Sequence, residues 1–502
     1  MSDRRKRNIA ARNNSCLREK GRKSSATIFK RLLQQLMVCY VLFFTTSAFA
    51  FDFAAPFVDP LFSVPDIITS GVSLPGDSKP APCPATKDFS RPLALGESVD
   101  LALCNNPQIK GAWAAIKVQA GAVGEARSAY LPTVSGTINF LRTNTDYPGS
   151  AFPSTSKEGS TLYATIGLRL FDFGTRDSNL QSSNHLLVSA AAHHNAILQK
   201  TLANVVQAYF DAHTAKATLQ AKKQNETIAK NILVASLRRE KLGAGDMSES
   251  LQATTTAVKA ALERSRAHAA YQKSLSVLLF TMGVPLQTRV ILSEDLTAKG
   301  KDESLSLDEW LKTAAKSHPA IASAREQFEA SRHRVASARS ESYPTVDVSA
   351  NFYQNGYPGQ DISSTKSQAN TIGLYMTFPF FNGFSRTYKI RSAEAQAEQY
   401  KAELQDSEYN ILLEVVKAYE DAAASVQNLQ DSDTLVSVAE NALDTVQRKY
   451  EKGAANIVEI LNTQSALSDA RQERIRSLAE WHSSRLRLLA NVGVMGRNTV
   501  IQ

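Results

Sequence analysis

Three things are scarce in this 502-residue sequence: cysteine, long apolar runs, and net charge outside its first fifty residues. The formal net charge of +9 is carried by residues 1–50, which hold eleven Lys or Arg and two acidic residues. Residues 51–502 carry 46 charges of each sign. Because this body is neutral overall, it lacks the basic surface that nucleic-acid binding needs, and we expect no nucleic-acid partner.

Motifs of enzymes and of metal sites are also missing. The sequence has no HExxH zinc motif, no Walker loop, no nucleophile elbow and no GxGxxG fingerprint. His193 and His194 are adjacent, but packing or a solvated helix face explains such a pair better than metal binding. We therefore predict a protein that is not an enzyme, with no catalytic residue, no cofactor and no metal.

The basic first fifty residues have the order of a secretory signal peptide. A positively charged segment ends at Arg31, an apolar run spans 32–44, and small residues end at Ala50. A run of thirteen residues is too short to cross a hydrocarbon core of about 30 Å, which argues against a membrane anchor. A lipoprotein signal would need small residues before Cys39, where the sequence is Met-Val. We predict a signal peptide over 1–50 and an exported chain with no later transmembrane helix.

Export leaves Cys83 and Cys104 in an oxidising compartment, where a disulfide between them is the simplest outcome. Two buried free thiols are the alternative, and a zinc site would need histidines at ligand spacing. Cys83 lies in a segment, 51–92, that holds eight of the 17 prolines. Because proline fixes φ and has no amide donor, we expect an extended N-terminal arm that the disulfide ties to the body.

The rest of the sequence contains an internal duplication. Residues 93–140 align without a gap on 305–352, and further along the sequence VVQAY in the first copy matches VVKAY in the second. Register held over so long a stretch indicates a duplication rather than chance. We predict two repeats, over 93–290 and 305–495.

Each repeat contains two segments in which apolar and polar residues alternate. They span about 133–142 and 161–170 in the first repeat, and about 345–353 and 371–379 in the second. Strands with two different faces show this period, and so do transmembrane β-strands of about 9–11 residues. Four such strands in an exported chain favour a membrane β-barrel over a soluble sheet.

Helical segments without proline flank the strands. Residues 176–242 and 386–452 are each 67 residues long, with apolar residues at the alternating spacings of four and three that are typical of coiled coils. At about 1.5 Å per residue, each predicts a helix of roughly 100 Å. The shorter predicted helices span 107–130, 245–283, 318–342 and 456–494.

Four strands cannot close a barrel, and an open sheet edge cannot lie in lipid because its backbone groups would have no partner. A closed barrel needs at least about eight strands, so several copies of the chain must contribute their strands to one barrel. A cyclic ring does this with one repeated contact. Rings of two, three and four copies all satisfy this argument.

Together these features resemble the TolC family of outer-membrane efflux proteins, over about 93–495. The segment 93–108 is most similar to its CyaE-type members, which serve type I secretion of large toxins. The resemblance also rests on the strand entries at 130–132 and 342–344, the strand exits at 170–174 and 380–383, and the helix turns near Gly243 and Gly453.

The resemblance implies an α+β membrane protein. Three copies would form a 12-stranded β-barrel in the lipid of the outer membrane, continuing into an α-helical coiled-coil tunnel in the periplasm. The homotrimer would bind a periplasmic adaptor protein and an inner-membrane pump of the ABC or RND type. It would be a passive exit duct for type I protein secretion or drug efflux. A structural coiled-coil protein of the cell envelope is the alternative function.

The family likeness also suggests where partners and cargo enter. We predict that the adaptor binds the hairpin tips, and that carboxylates one to two turns beyond the tips narrow the entrance. At the two positions where the family's entrance has carboxylates, this sequence has Glu459, which retains the charge, and Asn462, which does not. Glu249 is the residue of the first repeat that corresponds to Glu459. The predicted tip residues are Leu242, Gly243, Ala244, Gly245, Lys452, Gly453, Ala454 and Ala455.

Overall fold

The computed structural model describes residues 59–63, 89, 91–149, 151–243, 245–293, 306–355, 367–452 and 454–496. The predicted signal peptide, most of the proline-rich arm and Cys83 lie outside the described residues. The chain divides into two compact units, Met1–Pro60 and Leu61–Gln502, and every helix and strand below belongs to the second. None of the described helices combines the length and the apolar character that crossing a membrane requires.

Helices and strands follow the same order in both halves of the second unit. The first half contains α1 (Leu95–Asn105), α2 (Pro107–Ser128), β1 (Thr133–Thr145), β2 (Thr155–Phe171), α3 (Thr175–Lys241) and α4 (Met247–Thr281). The second contains α5 (Leu307–Ser317), α6 (Pro319–Ser340), β3 (Thr345–Gln354), β4 (Gln368–Thr377), α7 (Ser385–Glu451) and α8 (Ile457–Val492). Long helices and one antiparallel sheet agree with the predicted fold class.

The two long helices, α3 and α7, are each 67 residues long, as their proline-free segments predict. On α3 the apolar residues at four-three spacing are buried, and Leu198, Leu202 and Val205 are at most 1% exposed. They lie in one core with Val99 of α1 and Trp310 of α5. Full burial of one such leucine stabilises the fold by about 1.5–3 kcal/mol, so this core holds both repeats together.

The short helices of each repeat meet at a break before a proline. Asn106 caps α2, because its Oδ1 accepts a hydrogen bond from the Gln108 amide at 2.8 Å. His318 caps α6 in the same way, and its Nδ1 accepts from the Ala320 amide at 3.2 Å. Proline at the first helical position tolerates this geometry, since its missing N–H would have no partner within the helix.

A glycine packs closely against each of these breaks. Gly283 and Gly493 have φ of +68° and +82°, in the left-handed region that side chains disfavour. A Cβ on Gly283 would lie 2.7 Å from the backbone of Asn105, and one on Gly493 would lie 2.8 Å from the ring of Pro319. Only glycine therefore allows α4 and α8 to end against the helix breaks.

The sheet has the strand order β1-β2-β3-β4, with every neighbouring pair antiparallel. Pairing between β2 and β3 begins at Leu162, so residues 155–161 of β2 pair only with β1. The β1–β2 hairpin thus extends about seven residues, or roughly 20 Å, past the four-stranded region. Among the described residues, β1 and β4 each have a partner strand on one side only.

Two consecutive residues with positive φ turn each strand exit into a long helix. In the first repeat they are Phe173 (+53°) and Gly174 (+93°); in the second they are Gly383 (+65°) and Phe384 (+66°). The same turn is therefore built with phenylalanine and glycine exchanged. A left-handed phenylalanine costs about 1–2 kcal/mol, and the Phe173 ring is held by stacking on Tyr343 at 5.3 Å.

Candidate channel wall and hairpin tips

One face of the sheet is apolar and exposed. Val134, Ile166, Ala350 and Ile372 form one row of register partners across all four strands. Val134 is 72% and Ile372 is 81% exposed. The other exposed apolar residues of this face include Ile138, Phe140, Leu170, Leu374 and Met376. An exposed apolar band of this kind suits lipid hydrocarbon rather than water.

The opposite face is polar. Its residues alternate with the apolar ones along each strand, and Ser135, Thr165, Asn351 and Thr371 form a row across the sheet. The Thr165 hydroxyl donates a hydrogen bond to the Asn351 amide oxygen at 2.9 Å. A sheet with one face for lipid and one for water has the design of a channel wall.

Two repeat-equivalent arginines tie the strands to the helices. The Arg176 guanidinium donates to the carbonyl oxygens of Ala129 at 3.3 Å, Arg169 at 2.8 Å and Leu170 at 3.2 Å. Its Nε also lies 2.9 Å from a carboxylate oxygen of Asp172, and both side chains are nearly buried.

Arg386 plays the corresponding role in the second repeat and donates to the carbonyl oxygens of Ser342 at 3.5 Å and Pro379 at 2.5 Å. The position equivalent to Asp172 is Asn382, so the second junction has no matching carboxylate. Sequence reasoning missed these arginines, although their equal position in the two copies was a signal for them.

The hairpins end at the predicted tips. Gly243 has φ of +71°, which the turn between α3 and α4 requires and glycine tolerates. Ala244 and Gly453 lie outside the described residues. Of the other predicted tip residues, Leu242, Gly243, Lys452 and Ala454 are exposed, whereas Gly245 and Ala455 are half-buried.

The two hairpins contact each other near their tips. The Arg239 guanidinium of α3 lies 4.6 Å from the centre of the Tyr450 ring of α7. A small core of Val446, Tyr450, Ile457 and Ile460 packs against Ile232 of α3. These contacts hold the two tips side by side.

The repeat-equivalent carboxylates have different surroundings. Oε2 of Glu249 is shielded from solvent and has no hydrogen-bond partner among the described residues; a Cβ on Gly245 would lie 3.4 Å from it. Glu459 is exposed, and its amide donates to the Asn456 side chain at 2.9 Å. Asn462 is exposed. The structure therefore presents Glu459 to solvent and turns Glu249 towards its own hairpin.

A groove of about 570 Å³ runs between α4 and α8 on the side of the hairpins near the tips. Most of the residues that line it are polar or charged, Lys259 and Glu263 among them, and Leu251, Val458 and Leu461 add apolar side chains. Asn462 also borders it. A groove between two helices with this mixed lining suits an amphipathic helix.

The adjacent histidines of α3 are placed differently. His193 is exposed, while His194 is buried with its ring 5.3 Å from that of Trp113, and burial lowers the pKa of His194. Burial lowers the pKa of His213 to about 4, and its ring lies 4.7 Å from that of Tyr209. In the described part of the chain, no group of three or more His, Cys, Asp or Glu is placed to hold a metal ion.

Cys104, in α1, is disulfide-bonded. Its predicted partner Cys83 lies outside the described residues, so the Cys83–Cys104 pairing stays a prediction. The structure adds a contact that the sequence does not suggest: the Arg127 guanidinium of α2 donates to the carbonyl oxygens of Leu61 and Phe62, each at 2.6 Å.

Comparison with known proteins gives consistent matches in sequence and in structure. A family model described as "Outer membrane efflux protein" matches residues 98–284 and 310–494. The chain is 30% identical to Protein CyaE of Bordetella pertussis, over 85% of this chain and 90% of that protein. It is 22% identical to the proteases secretion protein PrtF of Dickeya chrysanthemi, over 82% and 90%. The fold resembles that of the outer-membrane channel OprN, with a TM-score of 0.71 at 19% identity over 88% of this chain and 99% of that one.

Proposed function

Because the chain belongs to the outer membrane efflux protein family, we propose that it is the exit duct of a tripartite type I secretion system. It is an outer-membrane channel protein whose helical tunnel lies in the periplasm. The observation that carries the proposal is the sheet, with one face for lipid, one for water and two edges that lack partners among the described strands. The relatives are channel and secretion proteins rather than enzymes, and a purely structural coiled-coil role is not favoured.

Protein secretion is the preferred cargo class because one relative, PrtF, is named for protease secretion. Drug efflux is the second candidate, since the family description is that of efflux proteins. Deletion of the gene separates the two. Loss of a large protein from the culture medium, at unchanged drug susceptibility, supports secretion. Increased drug susceptibility with normal secretion supports efflux, and no change in either contradicts both.

Assembly as a homotrimer would close the barrel. Three copies supply twelve strands, and each β1 edge would pair with the β4 edge of the next copy. Val258 and Leu262 are exposed on α4 at a four-residue spacing typical of a coiled-coil seam, and a second copy would cover them. Trimers that dissociate only on heating, recovered from an outer-membrane fraction, are the expected result. A monomeric protein in that fraction contradicts this assembly.

A periplasmic adaptor, linked to an inner-membrane pump of the ABC type for secretion or the RND type for efflux, would dock at the tips. Exposed Leu242 at the tip, with Leu251 and Val458 beside the polar side chains of the nearby groove, offers the mixed surface that an amphipathic helix needs. Replacing Ala244 and Ala454 by phenylalanine should abolish export and leave the trimer intact. Ala115→Phe, at an exposed position of α2, is the matched control. Normal export from both tip variants would refute docking at this surface.

Carboxylates would narrow the tunnel entrance. Exposed Glu459 supports such a position, and Glu249 would join it if its hairpin rearranges when the tunnel opens. Like charges gathered in a narrow pore favour cations. Single-channel recordings of Glu249→Gln and Glu459→Gln should show reduced cation selectivity and weaker block by divalent cations, with the larger effect from Glu459→Gln. Asn462→Asp should act in the opposite direction. An unchanged double variant would exclude both carboxylates from the entrance.

A further inference from the structure

The four-stranded region of the sheet contains a single pair of charges. This region comprises residues 133–138, 162–171, 345–354 and 368–377. Arg169 of β2 and Asp347 of β3 are its charged residues, and every other side chain in these ranges is uncharged at neutral pH. Ionisable residues are rare in membrane-spanning segments because burial in hydrocarbon is costly, so those that occur call for a functional explanation.

The two charges are bonded to each other across neighbouring strands. Arg169 and Asp347 are direct register partners, and the Arg169 Nε lies 2.9 Å from the Asp347 Oδ1. The Thr345 hydroxyl donates to the other carboxylate oxygen at 3.2 Å. The side chains of Arg169 and Asp347 are 46% and 31% exposed, so solvent reaches the pair.

The pair lies on the polar face of the sheet. Arg169 follows Gly167 by two residues, and Asp347 precedes Ser349 by two; Gly167 and Ser349 are themselves register partners on that face. An arginine on the lipid face of a barrel is destabilising within the hydrocarbon, whereas one on the lumen face is not. In a closed barrel the pair therefore faces the lumen, close to the end of the sheet that joins the helices.

We propose that Arg169 and Asp347 determine the ion selectivity of the barrel, and that their pairing keeps its wall free of net charge. This inference rests on the proposed function, since a lumen exists only in the assembled channel. In a trimer, three arginines and three aspartates would cancel at one level of the pore. Such a wall would pass segments of either charge, which suits a polypeptide cargo that carries both signs.

Removing one partner exposes the charge of the other. Arg169→Gln leaves three uncompensated carboxylates at one level and should favour cations; Asp347→Asn leaves three guanidinium groups and should favour anions. If the electrostatic energy of a unit charge in the pore changes by one kT, the occupancy of ions of one sign rises by a factor of about 2.7, and that of ions of the opposite sign falls by the same factor. We expect the cation-to-anion permeability ratio to change about three- to sevenfold, in opposite directions for the two variants. The double variant should return to the ratio of the unaltered channel.

The measurement is the reversal potential of purified channels in planar bilayers under a KCl gradient. Recording near 0.1 M and again near 1 M KCl adds a check, because the Debye length falls from about 10 Å to about 3 Å and the effect should shrink. The series is repeated in a chain that also carries Glu459→Gln. The carboxylate proposed for the tunnel entrance then cannot hide a change in the selectivity of the barrel.

The chain provides a matched control on the other face. Arg142 and Glu158 are register partners and form an ion pair at 3.1 Å in the extended part of the β1–β2 hairpin. Along each strand they lie an even number of residues from the apolar side chains, which places them on the apolar face, away from the lumen. Arg142→Gln and Glu158→Gln remove the same charges and should leave the permeability ratio unchanged.

The possible outcomes are distinct. If the unaltered protein forms no conducting channel, the proposed function fails. If it conducts and the Arg169 and Asp347 variants keep its reversal potential, the inference alone fails. If only the double variant assembles, or if no variant at these positions does, the pair acts in folding and the inference is refuted. Opposite shifts from the single variants that cancel in the double variant support it.

Discussion

Acid should weaken this protein through His318, the residue that caps α6. Its Nδ1 accepts the Ala320 amide, which only an unprotonated nitrogen can do, and the side chain is buried. Burial lowers the pKa of His318 to about 4, against an ordinary value of about 6.5 for an unfolded chain. Because the folded pKa is the lower one, the unfolded state binds the proton first. The stabilisation is complete above pH 6.5 and is lost as the pH falls towards 4.

The size of the effect follows from the two pKa values. At pH 5 the unfolded chain is almost fully protonated at this residue and the folded chain is almost unprotonated, which lowers the free energy of unfolding by about 2 kcal/mol relative to pH 7.5. His213, with its pKa lowered to about 4 by burial, adds a similar loss. Replacing His318 should therefore remove about half of the acid sensitivity that these two histidines cause.

The first repeat supplies the test residues, since Asn106 caps α2 where His318 caps α6. His318→Asn keeps an acceptor without a titrating group and should lose about 2 kcal/mol less stability than the natural chain between pH 7.5 and 5. Asn106→His, the reverse exchange, should add a loss of similar size. Urea unfolding in detergent at the two pH values measures both differences. If the His318→Asn variant loses as much stability between pH 7.5 and 5 as the natural chain does, protonation of His318 does not cause the loss.

Three further predictions concern the junctions and the arm. Gly283→Ala and Gly493→Ala should each destabilise the chain by about 3 kcal/mol in urea unfolding, through left-handed strain and overpacking, whereas Gly121→Ala on an open helix surface should be neutral or stabilising. Asp172→Asn should cost about 3 kcal/mol because it leaves Arg176 nearly buried without its carboxylate, and Asn382→Asp should not; equal unfolding midpoints for Asp172→Asn and the natural chain would refute this. The Cys83–Cys104 disulfide should contribute about 3 kcal/mol by closing a loop of roughly 20 residues, and trimers should still form without it. Labelling of both thiols in unreduced mature protein would exclude the bond.

Periodicity predicted the large elements well. The lengths of α3 and α7 follow from the absence of proline and from four-three spacing, because both properties act within one helix. β1, β3 and β4 begin close to the expected residues, but β1 runs further than predicted, to Thr145, and β2 begins earlier than predicted, at Thr155. Their extra residues are polar and pair only with each other, so no apolar alternation marks them.

Side-chain contacts between distant segments could not be predicted in the same way. Glu249 and Glu459 occupy equivalent positions in the sequence, yet one is shielded by its hairpin and the other is exposed. Arg176 donates to backbone carbonyl groups, which every residue has. No particular residue type in the sequence therefore marks its partners. The Arg169–Asp347 pair could have been noticed, since these are isolated charges in alternating strands, but only the β2–β3 register shows that they meet.

Identical residues in the two repeats show where a single chain is incomplete. Leu202 and Tyr209 of α3 are 1% and 2% exposed, whereas Leu412 and Tyr419, their equivalents in α7, remain half-buried. The sequence is the same at these positions, so the difference comes from what packs against each helix. Within the described residues, α3 packs against helices of both repeats, whereas α7 packs mainly against helices of its own repeat. A ring of copies would supply the missing neighbours of α7 through the same contact that joins β4 to the next β1. Contact with a neighbouring copy would therefore explain both the half-buried face of α7 and the open sheet edge, and a variant that breaks this contact at either place should also weaken it at the other.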